Sequence, residues 1–280
     1  MKKEVAVLLG VGGIGVACIR RVGYGRHVII ANRSLDKAER VAEELHNSGF
    51  ETTAMRADLS SKEDILNIIK EAQKYGEITK VVNAAGVSPS QAPVEKILEV
   101  DLYGTAVFME EFGKVIAPGG SCIIISSQSG HRLGALSQED NELLALTPTE
   151  ELLNLDMLKK IDNTLTAYQY AKRCNVLRVA SESVKWGKKN ARINSISPGI
   201  IITPLANDEL NGPRGENYRK MLELAPAHRA GITDEVGDLC EYLMSDKAGF
   251  ITGADFLIDG GTTASYWYGD LQYMRNTMGK

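Results

Sequence analysis

The sequence predicts an α/β fold: a single domain in which a doubly wound sheet of about seven parallel strands carries helices on both faces. Short apolar runs alternate with amphipathic segments along nearly the whole chain. The stretches between the runs have the length of helical crossovers, which parallel neighbours require. No internal repeat, low-complexity tract or linker divides residues 1–280, a length that can bury one substantial core.

The elements follow in order. Residues 5–9 read as a short apolar strand and 14–22 as the helix after it. Residues 27–31 form the next strand, and Ser34 caps a helix that Asn47, Ser48 and Gly49 stop. Strands at 52–57 and 78–83 flank a helix opened by a capping box, Ser60 with Glu63, and ending near Gly76. Residues 122–126 are strongly β-branched, and 192–196 form a further strand. A helix at 235–244 precedes the last strand, 255–258, which stops at Asp259-Gly260-Gly261.

Residues 131–163 break this rhythm with amphipathic helix and no strand. Thr147-Pro148-Thr149-Glu150 combines a capping box with proline at the first helical position. Leu152, Leu155, Leu158 and Ile161 follow at three-residue steps, a stripe that suits a helical insertion on the domain edge. The stripe equally suits a cover for the sheet, a subunit interface, or a wall of a substrate cleft. Residues 262–280 form an aromatic-rich tail that suits a cover for the cleft, a contact with a neighbouring subunit, or plain packing on the domain edge.

Composition narrows the function. A net charge of −4 gives no electrostatic reason to expect nucleic acid or anionic membrane as a partner, and no apolar run is long enough for a membrane span. Cys18, Cys122, Cys174 and Cys240 are far apart and form no Cys-x-x-Cys pair, so neither a zinc site nor a disulfide framework is expected. A reduced, cytoplasmic setting fits.

The opening stretch has two incompatible readings. Lys2 and Lys3 before an apolar run with Ala17-Cys18 near its end outline a secretory or lipoprotein signal. The same letters hold Gly10-x-Gly12-x-x-Gly15, with Gly13 and Ile14 between, the turn by which a strand hands a dinucleotide's phosphates to a helix. Glu4 in the basic region and several glycines in the apolar run suit a secretory helix poorly, and the chemistry found downstream decides for the nucleotide reading.

The second strand is followed by Asn32-Arg33, where such a site reads the adenosine ribose. An acidic residue there would bind the 2′-hydroxyl of NAD, and none is present. Arg33 offers a guanidinium to a 2′-phosphate, and Ser34 offers a hydroxyl beside a helix N-terminus, which favours NADP, with NAD possible. Further along, Tyr168 and Lys172 stand one helical turn apart on one face. A nearby ammonium stabilises a phenolate and brings the tyrosine toward acid–base work near neutrality.

The order of these and further motifs resembles the short-chain dehydrogenase/reductase family over nearly the full length. "NAAG" at 83–86, "ISS" at 125–127 followed by Gly130, "YQYAK" at 168–172, "NSISPGIIITP" at 194–204 and "ITGADFLIDGG" at 251–261 stand in the family's order on the expected elements. The resemblance implies a Rossmann-type fold and hydride transfer between nicotinamide and a carbonyl or secondary alcohol. Tyr168 would exchange the proton, Lys172 would lower its pKa and bind the nicotinamide ribose, and Ser127, rather than Ser126, would hydrogen-bond the substrate oxygen. Asp58 and Leu59 would meet adenine. Asn83, Ala84, Ala85 and Gly86 would line the cofactor, as would Pro198, Gly199, Ile200 and Thr203. The family also implies a homodimer or homotetramer.

Three departures qualify the resemblance. The glycine turn is one residue shorter than usual and lacks the family's threonine and preceding basic residue. Asp101, in "VDLYGTAVF", replaces an asparagine that serves a proton relay, and its charge would raise the Lys172 pKa if close. Ser127 and Tyr168 are separated by the 131–163 segment, as in members of the hydroxysteroid dehydrogenase and carbonyl reductase type, which implies a bulky ketone or alcohol. The stretch 205–229 reads as a loop forming a substrate lid. A catalytically weak, nucleotide-binding regulatory protein of the same fold stands as the alternative, and non-redox use of the cofactor ranks behind it.

Overall fold

The computed structural model describes residues 3–212 and 215–278; Lys2 of the signal-like reading lies outside them. Seven parallel strands form one sheet: β1 (Glu4–Leu9), β2 (His27–Asn32), β3 (Glu51–Arg56), β4 (Glu77–Asn83), β5 (Ser121–Ile125), β6 (Arg192–Pro198) and β7 (Asp255–Ile258). Their order, β3-β2-β1-β4-β5-β6-β7, makes the first strand a central one. Residues 4–9 therefore hold the middle of the sheet together, hydrogen-bonded on both sides. The order reverses between β1 and β4, and in such sheets a crevice opens there, beyond the strands' carboxyl ends.

Helices cover both faces. α1 (Gly13–Val22), α2 (Leu35–Asn47) and α12 (Thr233–Met244) pack on one, and α3 (Lys62–Tyr75), α5 (Thr105–Val115) and α9 (Thr164–Gly187) on the other. Successive strand residues point to opposite faces. Thus Val5, Val7 and Leu9 join Ile65, Phe108 and Trp186 in one core, while Ala6 and Leu8 join Ile19, Leu45 and Val236 in the other. With both faces buried, β1 reads as a continuous apolar run. Trp186 has no exposed surface and still satisfies its indole, whose Nε1 donates to the Met109 carbonyl at 3.2 Å.

Between β4 and α5 the chain forms α4 (Val94–Ile97) and then a seven-residue π-helical segment, Leu98–Gly104. After β5 come α6 (Gln128–His131), α7 (Gln138–Leu146) and, past a 3₁₀ segment at Thr149–Asn154, α8 (Asp156–Lys159). Leu144, Leu152 and Leu158 from this region pack with Ile97, Ala167 and Ala171, against the outer side of α9 and α4. α10 (Pro204–Asn211) and α11 (Gly215–Leu224) follow β6, and α13 (Thr262–Tyr268) and α14 (Tyr273–Met278) follow β7.

Several local expectations are corrected. The cap before α3 is Ser61, whose Oγ accepts from the Asp64 amide at 3.1 Å; Ser60 instead donates its hydroxyl to Asp58 at 2.6 Å. Ser34 precedes α2 without a side-chain capping bond. The helix expected from Thr147 is broken: Pro148 precedes a 3₁₀ segment, and Leu155, with extended backbone, separates it from the single turn of α8. The stretch 205–229, read as a loop, is largely helical, occupied by α10 and α11.

Candidate active site

The turn after β1 is shaped by glycine at two close approaches. Gly10 has φ +96°, and a Cβ there would lie 2.3 Å from the Ala85 nitrogen; one on Gly15 would lie 2.3 Å from the Gly10 carbonyl oxygen. Over Gly12, by contrast, a Cβ would meet nothing within 4 Å. α1 starts at Gly13 with no side chain capping it, so its first amides face that open space. This is the geometry of an anion seat, and the residues fit a dinucleotide's pyrophosphate.

At the end of β4, Asn83 accepts the Ala85 amide at 3.1 Å and turns the chain toward Gly86. A Cβ on Gly86 would lie 2.4 Å from Asp101 Oδ1, so this strand end fits against Asp101 only without a side chain. Asp101 sits in the π-helical segment, fully buried. Its carboxylate accepts the Val87 amide at 3.2 Å and the Lys172 ammonium at 3.2 Å.

α9 brings Tyr168 and Lys172 to the same place. Asn163 caps the helix, accepting the Thr166 amide at 2.8 Å, and Lys172 Nζ lies 5.3 Å from the Tyr168 ring centroid. Burial pulls the Lys172 and Asp101 pair toward neutrality, raising the Asp101 carboxyl above its ordinary range. Burial also pushes Lys172 down, but Asp101 and Tyr168 outweigh it and hold the ammonium above its ordinary value. Their mutual attraction at this separation opposes the pull of burial on both groups. At the end of β5, Ser126 turns its hydroxyl to the Lys172 carbonyl at 2.9 Å, while Ser127 Oγ accepts the Ser129 amide at 3.2 Å and caps α6.

Ser127, Tyr168, Lys172 and Asp101 line one cleft of about 420 Å³, together with Ile14, Ala84, Ala85 and Gly86. Pro198, Gly199, Ile200 and Thr203 close it from the end of β6, where the Gly199 amide donates to the Ile258 carbonyl at 2.9 Å. The expected residues that do not line it are of two kinds. Gly10, Gly12, Gly13, Gly15 and Asn83 build the turns at its edge. Asn32, Arg33, Ser34, Asp58 and Leu59 stand beyond it, past the ends of β2 and β3. There Asn32 Nδ2 donates to the Ser34 carbonyl at 3.1 Å, and the Arg33 side chain is exposed. Burial acts to raise the Asp58 carboxyl, but Ser60, Lys96 and Arg33 bring it below its ordinary value.

The far wall holds Arg132, Leu165, Tyr218, Met221 and Tyr266, none singled out from the sequence, although Tyr218 and Met221 fall in the stretch expected to form the lid. Of residues 131–163, only Arg132 lines the cleft. Tyr266 and Met221 belong to a small core shared by α11, α13 and Ile200, so the tail covers this end of the site. No periodicity announces such residues, because they come from four separate segments.

The family description short chain dehydrogenase matches residues 3–137, and a second, enoyl-(acyl carrier protein) reductase, matches residues 145–263. The short-chain dehydrogenase/reductase bsc3 of Alternaria brassicicola is 35% identical over 266 residues, 94% of this chain and 97% of that protein. The chain belongs to the short-chain dehydrogenase/reductase family. This short-chain dehydrogenase/reductase is also 29% identical to the 7alpha-hydroxysteroid dehydrogenase of Bacteroides fragilis, over 94% of this chain and 95% of that one. A solved short-chain dehydrogenase/reductase from Serratia marcescens shares the fold with a TM-score of 0.74 at 24% identity, covering 93% of this chain and 98% of its own. The enzyme is an oxidoreductase that transfers hydride between a nicotinamide cofactor, NAD or NADP, and an alcohol or ketone. The relatives are dehydrogenases and reductases, which gives the regulatory alternative no support. Among the described residues no helix is long and apolar enough to cross a membrane.

Proposed function

We propose that this enzyme prefers NADP and works on a bulky ketone or secondary alcohol through Ser127, Tyr168 and Lys172. The observation that carries the reading is the convergence of these three side chains, from the end of β5 and one face of α9, on a single cleft. The cleft meets the open space before α1, where Gly12 leaves room for a pyrophosphate. When bound, the dinucleotide supplies or accepts the hydride.

The chain's own residues do the rest. The Tyr168 hydroxyl gives its proton to the substrate oxygen in reduction and takes it back in oxidation. Lys172 places a positive charge beside the Tyr168 ring, which stabilises the phenolate left behind. Ser127 donates to the same oxygen as charge develops on it. Asp101 holds the Lys172 ammonium at a fixed point and tempers its charge. Leu165, Ile200, Met221 and Tyr266 give the far wall an apolar lining suited to a substrate body larger than the carbonyl itself. The preference for NADP rests on Arg33, exposed beside Ser34 and near Asp58, with no acidic residue at the end of β2 to take the 2′-hydroxyl of NAD.

Tyr168→Phe tests the reading. It removes only the hydroxyl, so turnover of a ketone panel should fall by about 10²- to 10⁴-fold. NADPH affinity, followed by nicotinamide fluorescence, should stay within a factor of about two. Undiminished turnover would assign the proton to another group.

A further inference from the structure

Arg132 is a cation in the wall of the cleft that makes no ion pair among the described residues. Among the described residues its Nε, sealed from solvent, has no hydrogen-bond partner, and the guanidinium bonds only to the Met221 sulfur, 3.2 Å from Nη1. The guanidinium carbon stands 5.7 Å from the Tyr266 ring centroid. Asp259, a carboxylate near enough to act on it electrostatically, accepts the Gly261 and Thr263 amides instead and makes no ion pair with it among the described residues. Burial pulls the guanidinium below its ordinary value, and Tyr266, Tyr218, Asp259 and Tyr168 offset only part of that.

A thioether and an aromatic face are weak partners for a desolvated guanidinium, whose planar fork matches a carboxylate bidentately. An unpaired, half-buried cation with a sealed Nε is costly, so its persistence beside the reacting groups calls for a ligand charge. The other cation lining the cleft, Lys172, is already neutralised by Asp101 at 3.2 Å. One uncompensated positive charge suits a monoanion better than a phosphate dianion.

We infer that the substrate carries a carboxylate, set beyond its carbonyl or carbinol carbon and clamped by Arg132 between Met221 and Tyr266. The substrate class is thus an oxo acid or hydroxy acid with an apolar spacer. The spacer lies along Leu165 and Ile200, and the carbonyl reaches Tyr168 and Ser127. Arg132 then fixes which end of the substrate enters, and acts on binding rather than on proton transfer.

This inference rests on the cleft being the substrate seat, and it is tested by binding as well as turnover. The protein with NADP⁺ added is titrated with 4-oxocyclohexanecarboxylate, 5-oxohexanoate and 4-phenyl-4-oxobutanoate, and with the methyl ester of each. The readout is the fluorescence of Trp267, which adjoins Tyr266. With the oxidised cofactor a ketone binds without turning over. At least one acid should bind about ten- to a hundredfold more tightly than its ester. Arg132→Met should erase that preference without lowering the melting temperature, and Arg132→Lys should restore part of it. With NADPH, the same acid should show its advantage in KM rather than kcat. Esters that bind as well as acids in every pair, or an acid preference that survives Arg132→Met, would overturn the inference. A drop in melting temperature with unchanged selectivity would make Arg132 structural and also overturn it. Selective acid binding without NADPH oxidation would leave the anion seat standing and count against the catalytic assignment instead.

Discussion

The ammonium of Lys172 lies 3.2 Å from the carboxylate of Asp101, and both side chains are buried beside the Tyr168 ring. Two effects follow from one pairing. Asp101 keeps Lys172 protonated in a place where burial favours the neutral amine. It also spends part of the positive field that would otherwise act on the tyrosine hydroxyl, because a carboxylate close to a phenol disfavours the phenolate.

Asp101→Asn should therefore move the pH profile of alcohol oxidation toward acid. Oxidation needs Tyr168 as the phenolate, so kcat/KM rises with pH through the tyrosine pKa. Removing the negative charge favours the phenolate, lowers that pKa and shifts the rising limb down by about one pH unit. Lys172 loses the partner that raises its own pKa, so any fall at high pH should also begin earlier. Profiles of kcat/KM for both proteins from pH 6 to about 10.5 decide the matter. A limb that stays in place would show that Asp101 does not reach the tyrosine.

Arg33→Ala should separate the two cofactors. A guanidinium bonded to a 2′-phosphate contributes about 1.5–3 kcal/mol, so NADPH affinity should fall by roughly ten- to a hundredfold. NADH lacks that phosphate, and its affinity should change less than about twofold. Fluorescence titration with both cofactors measures the difference, and equal losses for NADPH and NADH would remove Arg33 from the 2′-phosphate.

The glycine turn yields a paired expectation. Gly12 has φ −68° and ψ 164°, ordinary extended values, and open space where a Cβ would go. Gly12→Ala should keep stability within about 0.5 kcal/mol yet weaken NADPH binding, since its methyl stands in the proposed phosphate seat. Gly10 combines φ +96° with a Cβ position 2.3 Å from the Ala85 nitrogen. Gly10→Ala should cost about 3 kcal/mol or more from strain and collision together. Thermal melting without cofactor, set beside NADPH titration, distinguishes a lost fold from a lost ligand.

Much of this arrangement was legible in the sequence because backbone turns and strand ends impose residue types. The turn after β1 passes so close to the backbone after β4 that Gly10 admits no Cβ, and the pairing of Tyr168 with Lys172 needs only one helix turn. The errors came where two patterns competed. Ser60 with Glu63 and Ser61 with Asp64 are equally good capping pairs on paper, but the Ser60 hydroxyl is taken by Asp58, which leaves the cap to Ser61. Leu152, Leu155, Leu158 and Ile161 recur every three residues, which is nearer the 3₁₀ repeat than the α repeat, and the chain accordingly forms short 3₁₀ and single-turn pieces. Arg132 was illegible for a different reason. A lone arginine after a strand reads as a surface charge until Met221 and Tyr266, both far along the chain, fold over it.

Gly86 offers a test of how tightly the site is assembled. It is not among the glycines with positive φ, so its backbone would accept alanine without strain. Space is the obstacle: the added Cβ would lie 2.4 Å from Asp101 Oδ1 and 3.4 Å from Lys172 Nζ. Asp101 is fully buried and bonded to both Lys172 and the Val87 amide, so it cannot swing aside cheaply. Gly86→Ala should therefore displace the Asp101–Lys172 pair, lowering kcat by about tenfold or more while the sheet stays folded. Asp101→Ala removes the obstructing carboxylate and on its own should reduce activity by altering Lys172. If the collision is the cause, the double variant should be no worse than Asp101→Ala alone, because the nearest atom left to the added methyl is then Lys172 Nζ, at 3.4 Å. The coupling between the two substitutions, taken from kcat/KM of all four proteins, should be favourable by about 1 kcal/mol or more. Additive losses would mean that Gly86 acts on the cofactor side of the cleft and not through Asp101.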